Sequence, residues 1–356
     1  MSDNPKPADE KLKDEIMSFA KFKAARAGLT EEQFANIANF IPGTRATFPG
    51  LAVGYAQQPL IGTQLMPEIV AAPDGLELAS FVTFGKESYL TGENDIVQIN
   101  AGRKSADYAV TWTTEQLDAH AMDAPVDIRL ARALATSNID ASVEALELVR
   151  SQVELSKEVA IATLVRDASK YDATGTASTV DGSGTTAWGN SGATPIETIL
   201  QAKETVRSKC GMYPNTFWLS PVAFQYLRSN PEVQLSVRYA GSPSGPAAFA
   251  SQEGLSNLFG MNVIVGLAIS TTTPSGALSD VWGTDAGLMV VGNNNLHTPK
   301  FGATFTAAGS PKIMPPYLDR RFGAEGSMIY SYVDYYKPFI TFAKAGYLWT
   351  TVGATS

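Results

Sequence analysis

Disulfide- and metal-forming residues are almost missing from this sequence: its 356 residues include one cysteine and two histidines. A lone thiol, Cys210, cannot close an internal disulfide, which excludes a small stapled scaffold. His120 and His297 lie far apart and outside any HExxH or Cys/His spacing, so neither a zinc or iron site nor any cofactor is expected. Charge is scarce as well. Asp, Glu, Lys and Arg make up 17% of the chain, against roughly 25% in an ordinary soluble domain. No apolar run approaches ~18 residues, which predicts that nothing spans a membrane. The first ten residues are polar, without a basic start or an apolar stretch, and no Asn-x-Ser/Thr occurs. These absences predict an intracellular, reduced, soluble protein.

Hydrophobic residues make up 44% of the chain, enough for substantial cores. The length suggests about two domains. A formal charge of -8 argues against a dedicated nucleic-acid reader, which would carry a basic face. A long chain with so little charge predicts that part of its surface is covered by partner subunits.

Along the chain, Leu12, Ile16, Phe19 and Ala20 recur at helical spacing over 9–27, and a second short helix is predicted over 30–39. Residues 41–62 are punctuated by Pro and Gly and read as an extended arm. Between 76 and 127 the pattern turns to strands: 81–84, then Ile96, Val97 and Ile99, then Tyr108, Val110 and Trp112. Such a long strand-loop-strand excursion does not pack on its own core; it either covers something functional or reaches another chain. The strongest helix is predicted over 139–170. Val143, Leu146, Val149, Val153, Ala160 and Leu164 are assigned to its apolar side, and Glu147, Arg150, Glu154 and Lys157 to its solvated side. A Thr-, Gly- and Ser-rich loop follows over 172–192. Thr194-Pro195 and Ser220-Pro221 each open a helix, with strands expected at 215–219, 262–265 and 288–291. The stretch 327–349 is aromatic and β-rich.

No catalytic constellation emerges. Gly182 to Ala187 satisfies the letters of a GxGxxG/A fingerprint, but without a strand before it or a helix after it, and reads as a surface loop. Cys210 has no neighbouring histidine and reads as an inert thiol. His297 reads as a loop residue; His120 with Asp118 and Asp123 is a weak metal set. Asp319-Arg320-Arg321 reads as a salt-bridged turn or a subunit contact. Lys21, Lys23 and Arg26 form a small basic patch, either a solvated helix face or a contact with packaged nucleic acid.

The order of these segments resembles the major capsid proteins of tailed bacteriophages, the lambda-type E family with the Hong Kong 97 fold. Tyr108-Ala109-Val110-Thr111-Trp112 with Ala124-Pro125-Val126-Asp127 resembles that family's strand and entry to its long helix. Glu158-Val159-Ala160 resembles its E-x-A helix end, and Trp188 with Pro195-Ile196-Glu197-Thr198-Ile199 its W…P…I passage. Pro214-Asn215-Thr216, Phe224-Gln225-Tyr226-Leu227 and Pro231-Glu232-Val233 are similar to its PNT…L…P-x-V segment. Gly260-Met261-Asn262-Val263 and Val281-Trp282-Gly283-Thr284-Asp285 fit its later strands.

The resemblance implies an α+β capsid fold in five parts. These are an N-terminal arm (1–75), an E-loop (76–114), a peripheral domain with the spine helix (115–193), an axial domain (194–297) and a β-rich return (298–356). It implies a structural, non-enzymatic subunit that self-assembles through hexamers and pentamers into an icosahedral shell around double-stranded DNA. Lys86, Tyr89, Leu90, Ile96, Val97, Ile99 and Arg103 would be the E-loop's contacts with a neighbour, and Lys21, Lys23 and Arg26 would face the inside. Lys86 or Lys104 would be the site of any covalent cross-link, and none is expected. The implied partners are further copies of the chain, a scaffolding protein, a portal, a decoration protein and, non-specifically, DNA, without a membrane. The implied location is the virion, assembled in the host cytoplasm. Two alternatives stay open: an encapsulin-like nanocompartment shell, and a monomeric two-domain ligand-binding protein.

Overall fold

The computed structural model describes residues 59–73, 77–84, 102, 110–136, 140–174, 178–183, 187–190, 192–241, 251–271, 276–292 and 299–352. The helices expected over 9–27 and 30–39 and the strand expected at 96–99 lie outside these residues.

A single helical turn, α1 (Gly62–Leu65), leads into β1 (Glu68–Ala72), β2 (Leu78–Phe84), β3 (Val110–Gln116) and β4 (Asp118–Asp127). Helices α2 (Ile128–Thr136) and α3 (Ala141–Val165) follow, then β5 (Thr179–Asp181). The next stretch holds α4 (Pro195–Cys210), β6 (Thr216–Leu219), α5 (Pro221–Ser229), α6 (Pro231–Gly241), α7 (Gln252–Phe259) and β7 (Asn262–Val265). The remainder is β: β8 (Ile269–Ser270), β9 (Ser279–Asp280), β10 (Ala286–Met289), β11 (Gly302–Ala307), β12 (Lys312–Ile313), β13 (Tyr317–Asp319), β14 (Ser327–Ile340) and β15 (Gly346–Thr350).

Two compact units are present. Among the described residues, the smaller draws on Pro125–Ala145 and Leu318–Met328. Within it Ile128 N–H donates to the Gly326 carbonyl at 3.3 Å, and Arg132 pairs with Glu325 at 2.8 Å. The larger unit draws on Tyr55–Ala124, Leu146–Tyr317 and Ile329–Ser356.

One sheet of the larger unit runs β5-β15-β10-β6-β7. β6 is Thr-Phe-Trp-Leu with all four residues buried, the continuous run expected of a strand covered on both faces. Its neighbour β10 needs glycine at 287: a Cβ there would lie 2.6 Å from Trp218 Nε1 and 2.7 Å from the Tyr347 carbonyl. Helix α4 turns Ile199, Ala202, Val206 and Cys210 inward at spacings of three and four. At its start Thr194 makes no side-chain cap; Glu232 of α6 accepts from Ile196 N–H instead, at 3.4 Å. Ser220 does cap α5, accepting from Ala223 N–H at 3.2 Å. The sheet's last strand, β7, pairs with β6 through Asn262 and Gly266, whose N–H groups donate to Asn215 and Leu219. Val263 faces the open side, where Ser256 Oγ accepts from its N–H at 3.1 Å and Gln252 Nε2 donates to its carbonyl at 2.6 Å.

The second sheet follows the path β1-β11-β14-β12, with β1 parallel to β11 and the other neighbours antiparallel. A small core of Ile69, Ala72, Ala79, Leu117, Ala303, Phe305 and Ala307 packs on it.

The long helix is shorter than the sequence suggests. α3 ends at Val165, and a separate 3₁₀ turn covers Ala168–Lys170, started by Asp167 accepting from Ser169 N–H at 2.9 Å. Its 25 residues span about 38 Å. Its buried row is Ala141, Ala145, Val149, Val153, Lys157, Ile161 and Val165, one residue in four. Val143 is 53% exposed, contrary to the apolar side assigned to it. It stands two positions from both Ala141 and Ala145, which turns it about 200° away from that row. Leu146, Ala160 and Leu164 are half-buried flanks. Lys157, assigned to solvent, is the second correction: it is buried.

Candidate assembly surface

β2 and β3 pair only with each other among the described residues. Their register runs from Leu78 opposite Gln116 to Phe84 opposite Val110. A two-stranded ribbon is marginal by itself. Its two faces differ. Ala79 is fully buried in the small core at the ribbon's root, where Leu117 N–H donates to the Glu77 carbonyl at 2.6 Å. On the opposite face Leu78 and Trp112 are exposed, Trp112 by 74%. An indole that open leaves a large apolar area in water, at ~25 cal/mol per Å².

The ribbon's root rests on a polar cluster. Lys157 of α3 pairs with Asp334 of β14 at 2.6 Å and with Glu68 of β1 at 2.8 Å. Lys157 and Asp334 keep only 9% and 2% of their side-chain surface in water. Burial alone would lower the Lys157 pKa, but the hydrogen bonds and charges of Asp334 and Glu68 outweigh it and leave it raised. Asp334 also accepts from Ser310 Oγ at 2.6 Å, and the Lys157 ammonium lies 4.7 Å from the centroid of the Tyr336 ring. Lys337 joins β14 to Glu115 of β3 at 3.0 Å.

A second buried carboxylate, Glu158, holds the start of α1. It accepts from Ile61 N–H at 3.1 Å, Gly62 N–H at 2.6 Å and Trp282 Nε1 at 2.8 Å. Gly62 is required there, because a Cβ would lie 2.6 Å from Glu158 Oε2. A groove of about 640 Å³ runs along α3, lined among others by Leu60, Arg150, Glu154, Ile161, Ile313 and Tyr332. Arg150 and Glu154, one turn apart on α3, pair at 2.8 Å along its edge, and Ile313 is largely exposed.

Of the residues singled out from the sequence, Val149 and Val153 are buried along α3. Lys86, Tyr89, Leu90, Ile96, Val97, Ile99 and Arg103, and likewise Lys21, Lys23 and Arg26, lie outside the described residues. His120 is not grouped into a metal set; no cluster of three or more ligating residues occurs among the described residues. Cys210 is buried. Asp319 and Arg321 form the local pair expected of a turn, at 2.7 Å. No helix among the described residues is long and apolar enough to cross a membrane. Sequence reasoning missed Glu158, Lys157 and Asp334 as buried ions. The signal was the four-residue spacing that leads from Val149 through Val153 to Lys157.

No family model matches the sequence. The chain is 24% identical over 305 residues to the major capsid protein of Burkholderia phage BcepMu, across 84% of this chain and 93% of that protein. Its structure is similar to that of a phage-related protein from Bordetella bronchiseptica, with a TM-score of 0.65 and 27% identity over 85% and 95% of the two chains. It is also similar to the capsid of cyanophage P-SCSP1u, with a TM-score of 0.59 and 10% identity over 91% and 97%. The chain has the α+β Hong Kong 97 fold of tailed-phage capsids.

Proposed function

We infer that this chain is the major capsid protein of a tailed bacteriophage, a structural subunit and not an enzyme, that self-assembles into an icosahedral shell. The carrying observation is the capsid relative aligned over 93% of its length together with the Hong Kong 97 fold. The same fold counts against the monomeric two-domain ligand-binding alternative. The β2–β3 ribbon supplies what such a subunit needs, since it pairs with no other described strand and its exposed Trp112 is satisfied by a neighbour and not by its own core. Rings of six and five copies close through repeated modest contacts, whose avidity holds the shell around double-stranded DNA.

The E-loop tip, with Lys86, Tyr89, Leu90, Ile96, Val97, Ile99 and Arg103, contacts the adjacent subunit. The patch of Lys21, Lys23 and Arg26 faces packaged DNA and binds it without sequence preference. A scaffolding protein, a portal and a decoration protein complete the set of partners, and assembly takes place in the host cytoplasm. The chain's division into arm (1–75), E-loop (76–114), peripheral (115–193 and 298–356) and axial (194–297) parts follows the same reading.

The test is expression of the full chain, with and without the products of its neighbouring genes, followed by sedimentation and negative-stain microscopy. Closed particles are expected. A monomer under every condition overturns the reading. Replacing Glu87 through Arg103 with a short Gly-Ser linker is expected to abolish particles while leaving the circular dichroism of the subunit nearly unchanged.

A further inference from the structure

Between the buried residues Leu117 and Ala124, β4 carries six consecutive residues, and His120 is the only one whose side chain is not exposed. This stretch directly continues β3, so whatever holds it also holds the root of the ribbon. The His120 ring lies flat on Tyr336 of β14, with centroids 3.9 Å apart and planes 11° from parallel. The same Tyr336 ring carries the Lys157 ammonium. The charged and titratable groups around the imidazole are Asp118 on its own strand, Asp334 and Tyr336 on β14, and Lys157 on α3. Glu68 of β1 reaches the group through Lys157.

A neutral imidazole fits this place without a counter-ion. A proton would set a second cation on a ring that already serves one, in a partly desolvated site. We propose that His120 is a proton-operated pin: neutral, it holds β4 and the ribbon root against β14, and protonated, it lets them go.

The balance of influences agrees with that direction. Burial is the largest and lowers the His120 pKa; Asp118 and Asp334 raise it, Lys157 lowers it, and the net shift is downward from 6.5. A depressed folded value means that the released form takes up the proton first. The pinned form is therefore fully favoured above about pH 6.5, and loses ground as pH falls from there toward the folded value.

The experiment is hydrogen exchange on the full-length, unassembled chain at pH 7.5 and 5.5, corrected for intrinsic exchange rates, read on residues 117–124. Protection in the wild type is expected to fall at the lower pH, by up to about tenfold, the limit that a released imidazole with an ordinary value near 6.5 allows. His120→Phe keeps a flat ring without a titrating nitrogen, and its protection should be flat across the same range. An equal fall in His120→Phe, or no fall in the wild type, overturns the proposal. The NMR titration of the wild-type His120 ring, assigned by comparison with His297→Gln, provides a second reading that needs no substitution at the pin. A midpoint at or above 6.5 would overturn the idea as well. Because the measurement uses the unassembled subunit, it is independent of whether the chain builds a shell.

Discussion

Replacing Lys157 with methionine removes the ammonium while keeping most of the side-chain volume. Asp334, with 2% of its side chain in water, then keeps only the Ser310 hydroxyl among its two described partners. Glu68 is 42% exposed and can turn to solvent, so its loss contributes little. An uncompensated buried carboxylate is the dominant effect, and breaking such a pair from one side destabilises by roughly 3–5 kcal/mol. Asp334→Asn in the Lys157→Met background removes the stranded charge and should restore at least half of that loss. Urea unfolding of the unassembled chain, followed by circular dichroism for both single variants and the double variant, measures the coupling directly. Additive effects, or a loss below about 1 kcal/mol for Lys157→Met, would refute the reasoning. The alkaline limb gives a further check. The raised Lys157 pKa means that its contribution is complete below the ordinary lysine value near 10.5 and is lost as pH rises through the folded value. The wild type should therefore lose more stability above pH ~10.5 than Lys157→Met does.

Three further outcomes are expected. Val153→Asp should lower stability by several kcal/mol or prevent soluble expression, whereas Val143→Asp should change the unfolding free energy by less than about 0.5 kcal/mol; equal behaviour would mean the buried row of α3 is misplaced. Gly287→Ala should cost about 1–3 kcal/mol, because its Cβ meets Trp218 and the Tyr347 carbonyl on both neighbouring strands; a neutral thermal melt would contradict that. Asp172 accepts from Thr174 and pairs with Lys209, which together hold its pKa down to about 2 against the opposing effect of burial. Its stabilisation is present above about pH 4 and lost as pH falls toward 2, so Asp172→Asn should flatten that part of an acid-unfolding curve.

Much of the architecture was legible because local patterns matched their three-dimensional setting. The apolar run at 216–219 is a fully buried strand, Ser220-Pro221 caps a helix, and Asn262–Val265 is a strand. The order of motifs pointed to the capsid fold that the comparisons bear out. The face of α3 was only partly legible. A hydrophobic template keeps valines and rejects lysine, so Val143 was placed inward and Lys157 outward. Partners 89 and 177 positions away in sequence, Glu68 and Asp334, reverse the second choice, and no local window contains them. Glu158 was read only as part of a motif; its three donors come from Ile61, Gly62 and Trp282. The role of His120 was equally invisible, since a stacked ring on Tyr336 leaves no trace in spacing.

The treatment of Val263 at the end of the five-stranded sheet bears on how the chain would behave when crowded. A shell requires many copies to meet at high local concentration, and at such concentrations two kinds of association compete. One is finite and closes on itself; the other is the open-ended stacking of strand on strand. Ser256 and Gln252 occupy the N–H and the carbonyl through which a foreign strand would extend β7. Polymerisation along that direction is thereby discouraged. If the chain builds a shell as proposed, two side chains of one short helix would help keep crowded copies from stacking into a fibre.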